Sequence, residues 1–389
     1  MEIIGREFIV IILLFSCYMA ATIPREFDII HTGKGYTMKG WDFSVDDVKA
    51  ALVSHRMLNP TLELASNSCP WDCFFCFTED PENPEGLKKK LAGEMTLEER
   101  LHLIDSVAEL GAKSINIVGA GEPTIDVYFW QIVERIAERG IVPIVYTEGA
   151  LKLTDEVFVQ RLYDVGATVV LKVNSLWNKE YQNAVVNSGE RRLKPLQIDY
   201  FEQRNTALEM LIDAGFNSHD PTRLAFDTIV CKENYDEIGR LHRYARDHNI
   251  FVLFVGYLTS GRSSSVIQNA VSRTELFGKF AELARIDAEE YGIVHESKFP
   301  YGGGVPCTIR GLGLHVKIRG EVYDCPGELE ALGNIRMGEL REYWEKTGHI
   351  RESFDGGCAP REDFWKRYEL SGDERNGKIN EKRFVIRSS

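Results

Sequence analysis

Hydrophobic positions along the chain follow two alternating patterns between about residue 60 and residue 300. Short runs rich in β-branched residues are separated by longer stretches in which apolar positions recur with the spacing of an amphipathic helix. The helical stretches commonly end at a glycine, which favours the turn after a helix. The pattern predicts six strands, at residues 61–64, 114–118, 142–146, 168–174, 224–230 and 251–258.

The predicted helices between these strands carry recognisable end signals. Thr96 and Glu99 form a capping box that begins a helix reaching Leu110. The glycines that each end a helical stretch and precede a strand are Gly111, Gly140, Gly166 and Gly215. Six successive βα units imply parallel strands joined by right-handed crossovers. Such a sheet either stays an open layer or curls into a barrel, and in both cases its chemistry lies at the carboxyl ends of the strands.

Two regions depart from this alternation. Residues 176–199 are polar and irregular, and we expect either a loop over the strand ends or a solvated insertion. After about residue 300 the βα pattern stops, and residues 301–304 (YGGG) predict a hinge into a small module. The predicted divisions are an N-terminal segment (1–58), a core (59–300), a C-terminal module (301–365) and a polar tail (366–389).

An apolar run lies near the amino terminus. Residues 8–15 (FIVIILLF) have the length of a signal-peptide core and fall short of the roughly 20 residues that a membrane span needs. The preceding segment carries Glu2, Arg6 and Glu7 instead of a net positive charge, which argues against export. We expect a cytoplasmic protein, and this run leaves export or membrane association as the alternative.

Composition and charge narrow the class of partner. The 389 residues are 44% hydrophobic and 27% charged, which is ordinary for a globular protein. The net charge of −13 has the wrong sign for binding to nucleic-acid phosphates, so we expect no nucleic-acid partner. The 8 cysteines are too few and too unevenly spaced for a disulfide scaffold, which favours metal or redox chemistry in a reducing compartment.

Three cysteines lie close together directly after the first predicted strand, where a parallel sheet exposes its loops. They are Cys69, Cys73 and Cys76. Thiolates are the usual ligands of iron–sulfur clusters, and three of them leave one iron of a [4Fe–4S] cube open. A structural zinc site is the alternative, but such sites prefer four ligands in pairs, and no second pair or nearby histidine accompanies this loop.

The spacing Cys-x3-Cys-x2-Cys, with Phe75 directly before Cys76, resembles the signature of the radical S-adenosylmethionine (SAM) enzymes. The resemblance implies that the three cysteines ligate a [4Fe–4S] cluster and that Phe75 contacts adenine. It implies that the open iron binds the methionine part of SAM and that the reduced cluster cleaves SAM to a 5′-deoxyadenosyl radical. It also implies a partial (β/α)6 TIM-like barrel and a reducing partner such as flavodoxin or ferredoxin.

A second segment matches the family after the second predicted strand. Residues 119–123 (GAGEP) resemble the family's Gly-Gly-Glu-Pro stretch. Glycines let the backbone approach a ligand closely, and a carboxylate among them can accept hydrogen bonds from the ammonium group of a bound methionine. The resemblance implies that Gly119, Gly121 and Glu122 bind SAM. Alone, a glycine turn in this position is most often an ordinary βα loop.

Two further strand ends match the family less well. Glu148 stands where an asparagine is common, Lys172 where a SAM-contacting serine is usual, and Asn174 where an aspartate is usual. We interpret Asn174 as a cofactor contact, and Glu148 and Lys172 as candidate acid–base groups that face the substrate. The alternative is that the two charged side chains only pair with other charges.

The C-terminal module contains Cys307, Cys325 and Cys358. The first two flank Gly320 in a spacing that resembles the auxiliary-cluster modules called SPASM or twitch domains. Because a full SPASM module has more cysteines, the resemblance implies one auxiliary [4Fe–4S] cluster of the twitch kind, on a β-hairpin followed by a helix near 338–346. Three unrelated buried cysteines are the alternative.

Cys231 follows the fifth predicted strand and is a candidate donor of a hydrogen atom to a product radical, with core packing as the alternative. The expected function is that of a radical SAM enzyme of the oxidoreductase or mutase type. Its substrate would be a small molecule or a short peptide that is oxidised, rearranged or epimerised. The alternatives are a peptide maturase and an iron–sulfur electron carrier or redox sensor that binds no SAM and has no need of residues 119–123.

Overall fold

The computed structural model of the chain describes residues 37–78, 89–187, 198–257, 261, 269–294, 308–328 and 330–348. Several predicted features lie outside these residues, namely the apolar run 8–15, the hinge 301–304, Cys307, Cys358 and the tail 366–389. Among the described residues, no helix combines the length and the apolar character needed to cross a membrane.

All six predicted strands are present. They are β1 Thr61–Ala65, β2 Ser114–Gly119, β3 Val142–Thr147, β4 Thr168–Lys172, β5 Leu224–Ile229 and β6 Phe251–Val255. Strands adjacent in sequence are adjacent in the sheet, in the order β6-β5-β4-β3-β2-β1, and every one of these pairs is parallel. Their carboxyl ends therefore lie along one edge, which brings the loops after the strands together.

Helices connect the strands, and the predicted helix-start signal at Thr96 is present. They are α1 Val45–Val53, α2 Leu97–Glu109, α3 Phe129–Glu138, α4 Glu156–Asp164, α5 Lys179–Asn187, α6 Tyr200–Asp213, α7 Ile238–Asp247 and α8 Arg273–Glu290. Thr96 caps α2 in the predicted capping box with Glu99. The four glycines expected after helices all have φ between 71° and 100°, the left-handed region that favours glycine.

Alternate residues of the sheet face opposite sides, as the two-residue period of a strand requires. One side packs against the helices in the main core. On the other, inner side, Met38 packs against Ile144, Val170 and Ala225. Met38 also bridges to Thr222, just before β5, so the segment at residues 37–41 closes the inner side at the amino-terminal ends of the strands.

The prediction of irregular structure for residues 176–199 is wrong over α5. The Ser175 hydroxyl accepts the N–H groups of Trp177 and Asn178, and the Asn178 side chain accepts the N–H of Tyr181 at 3.0 Å. The bond to Asn178 satisfies one of the first N–H groups of the helix, and the bonds to Ser175 hold the turn that precedes it. Tyr181 and Val185, one turn apart, are buried. The helix α5 therefore has a buried apolar side, although most of its residues are polar.

The described part of the C-terminal region extends the same sheet. Its elements are α9 Thr308–Leu312, β7 His315–Val316, β8 Glu321–Tyr323, β9 Gly333–Asn334 and α10 Leu340–Lys346. β7 pairs in parallel with β1, and β7, β8 and β9 pair antiparallel, so the sheet has nine strands within the described residues. The predicted hairpin and helix are thus present, while the division into domains stays a prediction.

Candidate functional site

Residues 66–78, which carry the three cysteines and are called the cysteine loop below, begin directly after β1. Buried polar contacts fix the start of this loop. The Ser66 N–H donates to Asp126 at 2.7 Å, and the Asn67 N–H donates to Glu94 at 3.0 Å. The buried Arg100 binds both the Leu64 carbonyl (2.8 Å) and Asp126 (3.1 Å). These charge-assisted bonds hold the point where the chain leaves the sheet, and so fix where the loop starts.

Cys69, Cys73 and Cys76 are all partly buried on this loop. Their thiol chemistry and their place on one loop at the strand ends fit an iron–sulfur cluster. In the described part of the chain, no three metal-ligating side chains already surround one point. The fit therefore rests on the type of donor and on the position of the loop.

Aromatic side chains pack around the cysteine loop. The Trp71 and Tyr200 rings meet edge to face with centroids 4.9 Å apart, and the Phe74 and Phe75 rings do so at 4.8 Å. The Lys172 ammonium lies 4.8 Å from the centroid of the buried Phe75 ring. The ring expected to contact adenine therefore carries a positive charge beside it.

Residues 119–123 at the end of β2, called the glycine loop below, contact the cysteine loop through backbone atoms. A β-carbon on Gly121 would overlap the Ser68 carbonyl oxygen, and the Glu122 N–H donates to that same oxygen at 3.1 Å. The Thr78 hydroxyl donates to the Ala120 carbonyl at 3.0 Å on the other side of the cysteine triplet. A β-carbon on Gly119 would overlap Gly121. The structure thus brings together the two motifs that the sequence predicted to form one site.

The Glu122 carboxylate is buried and turned toward its own chain. It accepts the N–H (3.0 Å) and hydroxyl (2.7 Å) of Thr124, the Thr147 hydroxyl (2.6 Å) and the Glu148 N–H (3.1 Å). Burial raises the pKa of Glu122 above the ordinary carboxyl value, although the hydrogen bonds oppose that shift. Its visible role is to connect the loops after β2 and β3.

Glu148 is a second buried carboxyl group beside Glu122. One of its oxygens accepts the Ala150 N–H at 2.8 Å. Burial and the charge of Glu122 hold its pKa well above the ordinary value, and the Trp71 indole opposes this. The Tyr200 hydroxyl donates to the Glu148 carbonyl at 3.1 Å. Glu148 therefore lies next to Trp71 and Tyr200, two of the aromatic side chains that pack around the cysteine loop. This is the position expected of a candidate acid that faces the site.

Lys172 forms an ion pair with Asp227, with the two atoms 2.9 Å apart. Paired positions of β4 and β5 carry these residues, and their side chains are 16% and 22% exposed, so neither is sealed in the core. Burial and the charge of Asp227 raise the pKa of Tyr146 on β3. Asp227 and Tyr146 were not predicted as site residues, although period-two alternation places both on the inner side with Lys172.

Asn174 is fully buried just beyond β4 and is engaged in structural bonds. Its side-chain oxygen accepts the Ile229 N–H at 3.2 Å, and its own N–H donates to Gln182 at 2.9 Å. Its side-chain nitrogen has no acceptor in the described part of the chain. A donor group without an acceptor fits a ligand contact, which is the role expected for Asn174.

Cys231 is buried beyond the end of β5, in contact with a tyrosine. Its sulfur lies 2.8 Å from the Tyr181 hydroxyl of α5. Burial, reinforced by the charge of Glu233, raises the pKa of the thiol to about 12. Tyr181 was not predicted as a neighbour of Cys231, because it lies within residues 176–199, which the sequence predicts to be a loop or a solvated insertion.

Cys325, at the end of the C-terminal hairpin, is the one proposed auxiliary ligand within the described residues. It is buried two residues after β8, and its sulfur accepts the Gly327 N–H at 3.4 Å. Arg310 donates to the neighbouring Asp324 at 3.0 Å. Cys307 and Cys358 lie outside the described residues, so the proposed auxiliary ligand set stays a prediction.

Comparisons with known proteins agree with this arrangement. Residues 64–245 match the model of the Radical SAM superfamily. Mycofactocin maturase MftC of Mycolicibacterium smegmatis is 23% identical over 309 residues, which cover 75% of this chain and 72% of that protein. AdoMet-dependent heme synthase of Methanosarcina barkeri is 26% identical over 295 residues, which cover 68% of this chain and 77% of that protein.

Among solved structures, native anSMEcpe with bound AdoMet has the same fold. Its TM-score is 0.58 at 16% identity, and the alignment covers 82% of this chain and 100% of that chain. At this identity the likeness concerns the fold alone. It confirms the predicted α/β fold, a partial TIM-like barrel of parallel strands and helices.

Proposed function

We propose that this chain, in which residues 64–245 match the model of the Radical SAM superfamily, is a radical SAM enzyme and that it abstracts a hydrogen atom from a small molecule or a short peptide. Enzymes of this superfamily use a [4Fe–4S] cluster and SAM. In this chain Cys69, Cys73 and Cys76 would hold the cluster, since thiolates are its usual ligands. When bound, the cluster and SAM supply a 5′-deoxyadenosyl radical.

One observation supports the proposal most directly, namely the backbone contact between the cysteine loop and the glycine loop. The Ser68 carbonyl, next to the first cysteine, accepts the Glu122 N–H at 3.1 Å, and Gly121 leaves no room for a side chain there. Such a close approach supports a ligand site shared by both loops. An electron carrier that binds no SAM has no need of the second loop.

The other residues of the site would position the reactants and exclude water. The carboxyl group of Glu122 fixes the loops after β2 and β3 through four hydrogen bonds. The Phe75 ring would contact adenine, and Lys172 and Asp227 would face the substrate from the inner side of the barrel. This division follows the general rule that the cofactor supplies the chemistry while the protein binds, orients and insulates it.

The test is anaerobic reconstitution followed by reduction in the presence of SAM. We expect 5′-deoxyadenosine and methionine to be released after addition of dithionite, and flavodoxin or ferredoxin to replace dithionite as the reducing partner. A Cys73→Ala variant is expected to release none. Release at the wild-type rate by this variant, or zinc in place of iron at the loop, would exclude the proposal.

We also propose one auxiliary [4Fe–4S] cluster on Cys307, Cys325 and Cys358. The proposal is supported by the spacing of these cysteines and by the position of Cys325 at the end of β8. The wild-type protein is then expected to hold about eight iron atoms per chain and a Cys325→Ala variant about four, with SAM cleavage retained. Equal iron content in both proteins would contradict an auxiliary cluster.

Peptide maturation is the second candidate for the reaction. It is favoured by the similarity to a protein named as a maturase, which extends over 75% of this chain. The similarity to a heme synthase of comparable extent is the reason to keep a small molecule as the first candidate. A short precursor peptide encoded beside this gene, which gains a mass change on incubation with the enzyme and SAM, would decide for the maturase.

A further inference from the structure

The Thr78 hydroxyl lies between the third cysteine and the glycine loop. Its oxygen is 3.5 Å from the Cys76 sulfur, within reach of a hydrogen bond to this large atom, and it donates to the Ala120 carbonyl at 3.0 Å. Thr78 and Cys76 are partly buried, and Ala120 is buried. One side-chain group thus connects a proposed cluster ligand with the loop that the sequence predicts to bind SAM.

Backbone contacts hold the segment that carries this sulfur and this hydroxyl. The Cys76 N–H donates to the Cys73 carbonyl at 3.2 Å and closes a tight turn between two of the proposed ligands. A β-carbon on Gly261 would overlap the Cys76 carbonyl oxygen. Gly261 has a φ of 58°, in the left-handed region that favours glycine. Because Thr78 is only two residues beyond Cys76, the same contacts restrain both side chains.

Ligation of a cluster changes which group donates in this contact. The Thr78 hydroxyl has one hydrogen to donate. In the free thiol form, the Cys76 S–H can donate to the Thr78 oxygen while the hydroxyl donates to Ala120. A cysteine that binds metal is a thiolate, which carries negative charge and only accepts hydrogen bonds. Since a charge-assisted bond is stronger than a bond to a neutral carbonyl, ligation favours rotation of the hydroxyl hydrogen toward the sulfur.

We propose that the Thr78 hydroxyl donates a hydrogen bond to the Cys76 thiolate of the bound [4Fe–4S] cluster and so raises its reduction potential. This inference rests on the proposed function. Hydrogen bonds to the sulfurs are among the factors that set the potential of an iron–sulfur cluster. Reduction transfers one electron from the low-potential donor and increases the negative charge on the sulfurs, so the bond stabilises the reduced form more. No bond of Thr78 breaks, and Thr78 acts through Cys76 as a positioning residue.

A purely structural role for Thr78 predicts a different behaviour. If the hydroxyl only held the cysteine loop against Ala120, its removal would loosen the loop and lower the iron content. The potential of the cluster that remains bound would then be unchanged. Two substitutions separate these roles, because valine keeps the branched shape of threonine without the hydroxyl, and serine keeps the hydroxyl without the methyl group.

The experiment is a redox titration of the reconstituted protein, followed by electron paramagnetic resonance of the reduced cluster. Samples with SAM identify the signal that responds to SAM as that of the cluster on the cysteine loop. At the potential that half-reduces the wild type, the ratio of reduced to oxidised cluster in Thr78→Val is expected to fall roughly tenfold, or about 59 mV for a one-electron couple. Thr78→Ser is expected to titrate as the wild type does, and both variants should keep the wild-type iron content.

Thr168→Val is the matched control. The Thr168 hydroxyl also donates to a backbone carbonyl, that of Lys39 at 2.9 Å. Thr168 is the first residue of β4, so it lies at the opposite edge of the sheet from the cysteine loop. The control loses the same kind of hydrogen bond and is expected to keep the wild-type potential.

A second measurement detects the hydrogen bond itself. Electron–nuclear double resonance of the reduced cluster in D2O reports exchangeable deuterons close to the cluster. The wild type and Thr78→Ser are expected to show a coupled deuteron that Thr78→Val lacks. If the valine protein does not fold, Thr78→Ala replaces it in both measurements.

The outcomes separate the role of Thr78 from the proposed function. Three results would overturn the hydrogen bond to the cluster and leave the radical SAM function standing. They are a wild-type potential in Thr78→Val, a coupled deuteron that persists in this variant, and a loss of iron with no change in the potential of the remaining cluster. If the wild type gives no iron signal that responds to SAM, the proposed function fails, and the role of Thr78 fails with it.

Discussion

Gly121 lies against the carbonyl oxygen of Ser68 so closely that a β-carbon at Gly121 would overlap that oxygen. The contact joins the glycine loop to the residue just before the first cysteine. In this chain the glycine is therefore required by the packing of two loops, whatever ligand those loops bind. The requirement can be tested apart from catalysis.

Replacement of Gly121 by alanine should push the two loops apart. The Ser68 carbonyl belongs to the backbone and cannot move aside as a flexible side chain would, so we expect a loss of about 1–3 kcal/mol in the free energy of unfolding. The shifted cysteine loop should also hold much less iron. Urea unfolding of the apoprotein and iron analysis after anaerobic reconstitution measure the two effects.

Gly278 offers a matched control for this substitution. It lies in α8, and a β-carbon there would meet nothing within 4 Å. Gly278→Ala should therefore stabilise the helix by roughly 0.5–1 kcal/mol and leave the iron content unchanged. Normal iron content and stability in Gly121→Ala would show that the loops accommodate a side chain.

The barrel was predictable because its signals are local. The strands are β-branched runs, and Gly111, Gly140, Gly166 and Gly215 each have the positive φ that a turn between helix and strand requires. The position of the cysteine loop follows from the same pattern, since it comes directly after a strand. Neither inference needs knowledge of contacts between distant residues.

The pairing of Tyr181 with Cys231 was not predictable in the same way. The residues of α5 are mostly polar, and its amino terminus depends on side-chain bonds from Ser175 and Asn178 that a propensity argument does not count. Tyr181 and Cys231 are also far apart in sequence. Only the folded chain shows that they touch.

Glu148→Gln should change how stability depends on pH. Burial and the charge of Glu122 raise the folded-state pKa of Glu148 above the ordinary 4.5, so the folded protein holds a proton that the unfolded chain releases. Its contribution is fully present below pH 4.5 and is lost as pH rises toward the folded-state pKa. The free energy of unfolding of the wild type should therefore fall more steeply above pH 4.5 than that of Glu148→Gln.

Urea titrations at several pH values measure this slope. Some slope should persist in the variant, because burial also raises the pKa of Glu122. Glu109→Gln changes an exposed carboxylate on α2 and should follow the wild type. Parallel pH profiles for the wild type and Glu148→Gln would contradict the raised pKa.

Lys172→Met should weaken SAM binding. The ammonium lies 4.8 Å from the centroid of the Phe75 ring, which the family resemblance assigns to adenine. Loss of a cation at that distance corresponds to about 1 kcal/mol, or roughly fivefold in the dissociation constant measured by calorimetry. Lys179→Met is the control, because that ammonium pairs with Glu202 at the surface. Equal weakening in both variants would assign the effect to net charge alone.

Glu63 connects β1 to the C-terminal hairpin from within the sheet. Its carboxylate accepts the Ile318 N–H at 3.0 Å and lies 3.6 Å from the ring nitrogen of His315 on β7. Burial alone would raise the pKa of Glu63, but the hydrogen bond and charge of His315 and the Ile318 N–H together lower it. The deprotonated carboxylate is therefore the form that stabilises the hairpin.

Glu63→Gln should consequently destabilise the protein by about 1–3 kcal/mol at neutral pH, since a buried charged hydrogen bond is weakened. Because the folded-state pKa lies below the ordinary 4.5, the contribution of Glu63 is fully present above pH 4.5 and is lost as pH falls through the lowered value. The unfolding curves of wild type and variant should converge in acid. Glu209→Gln, at an exposed position of α6, is the control. A difference that persists unchanged in acid would mean that the effect of the substitution does not come from the charge of Glu63.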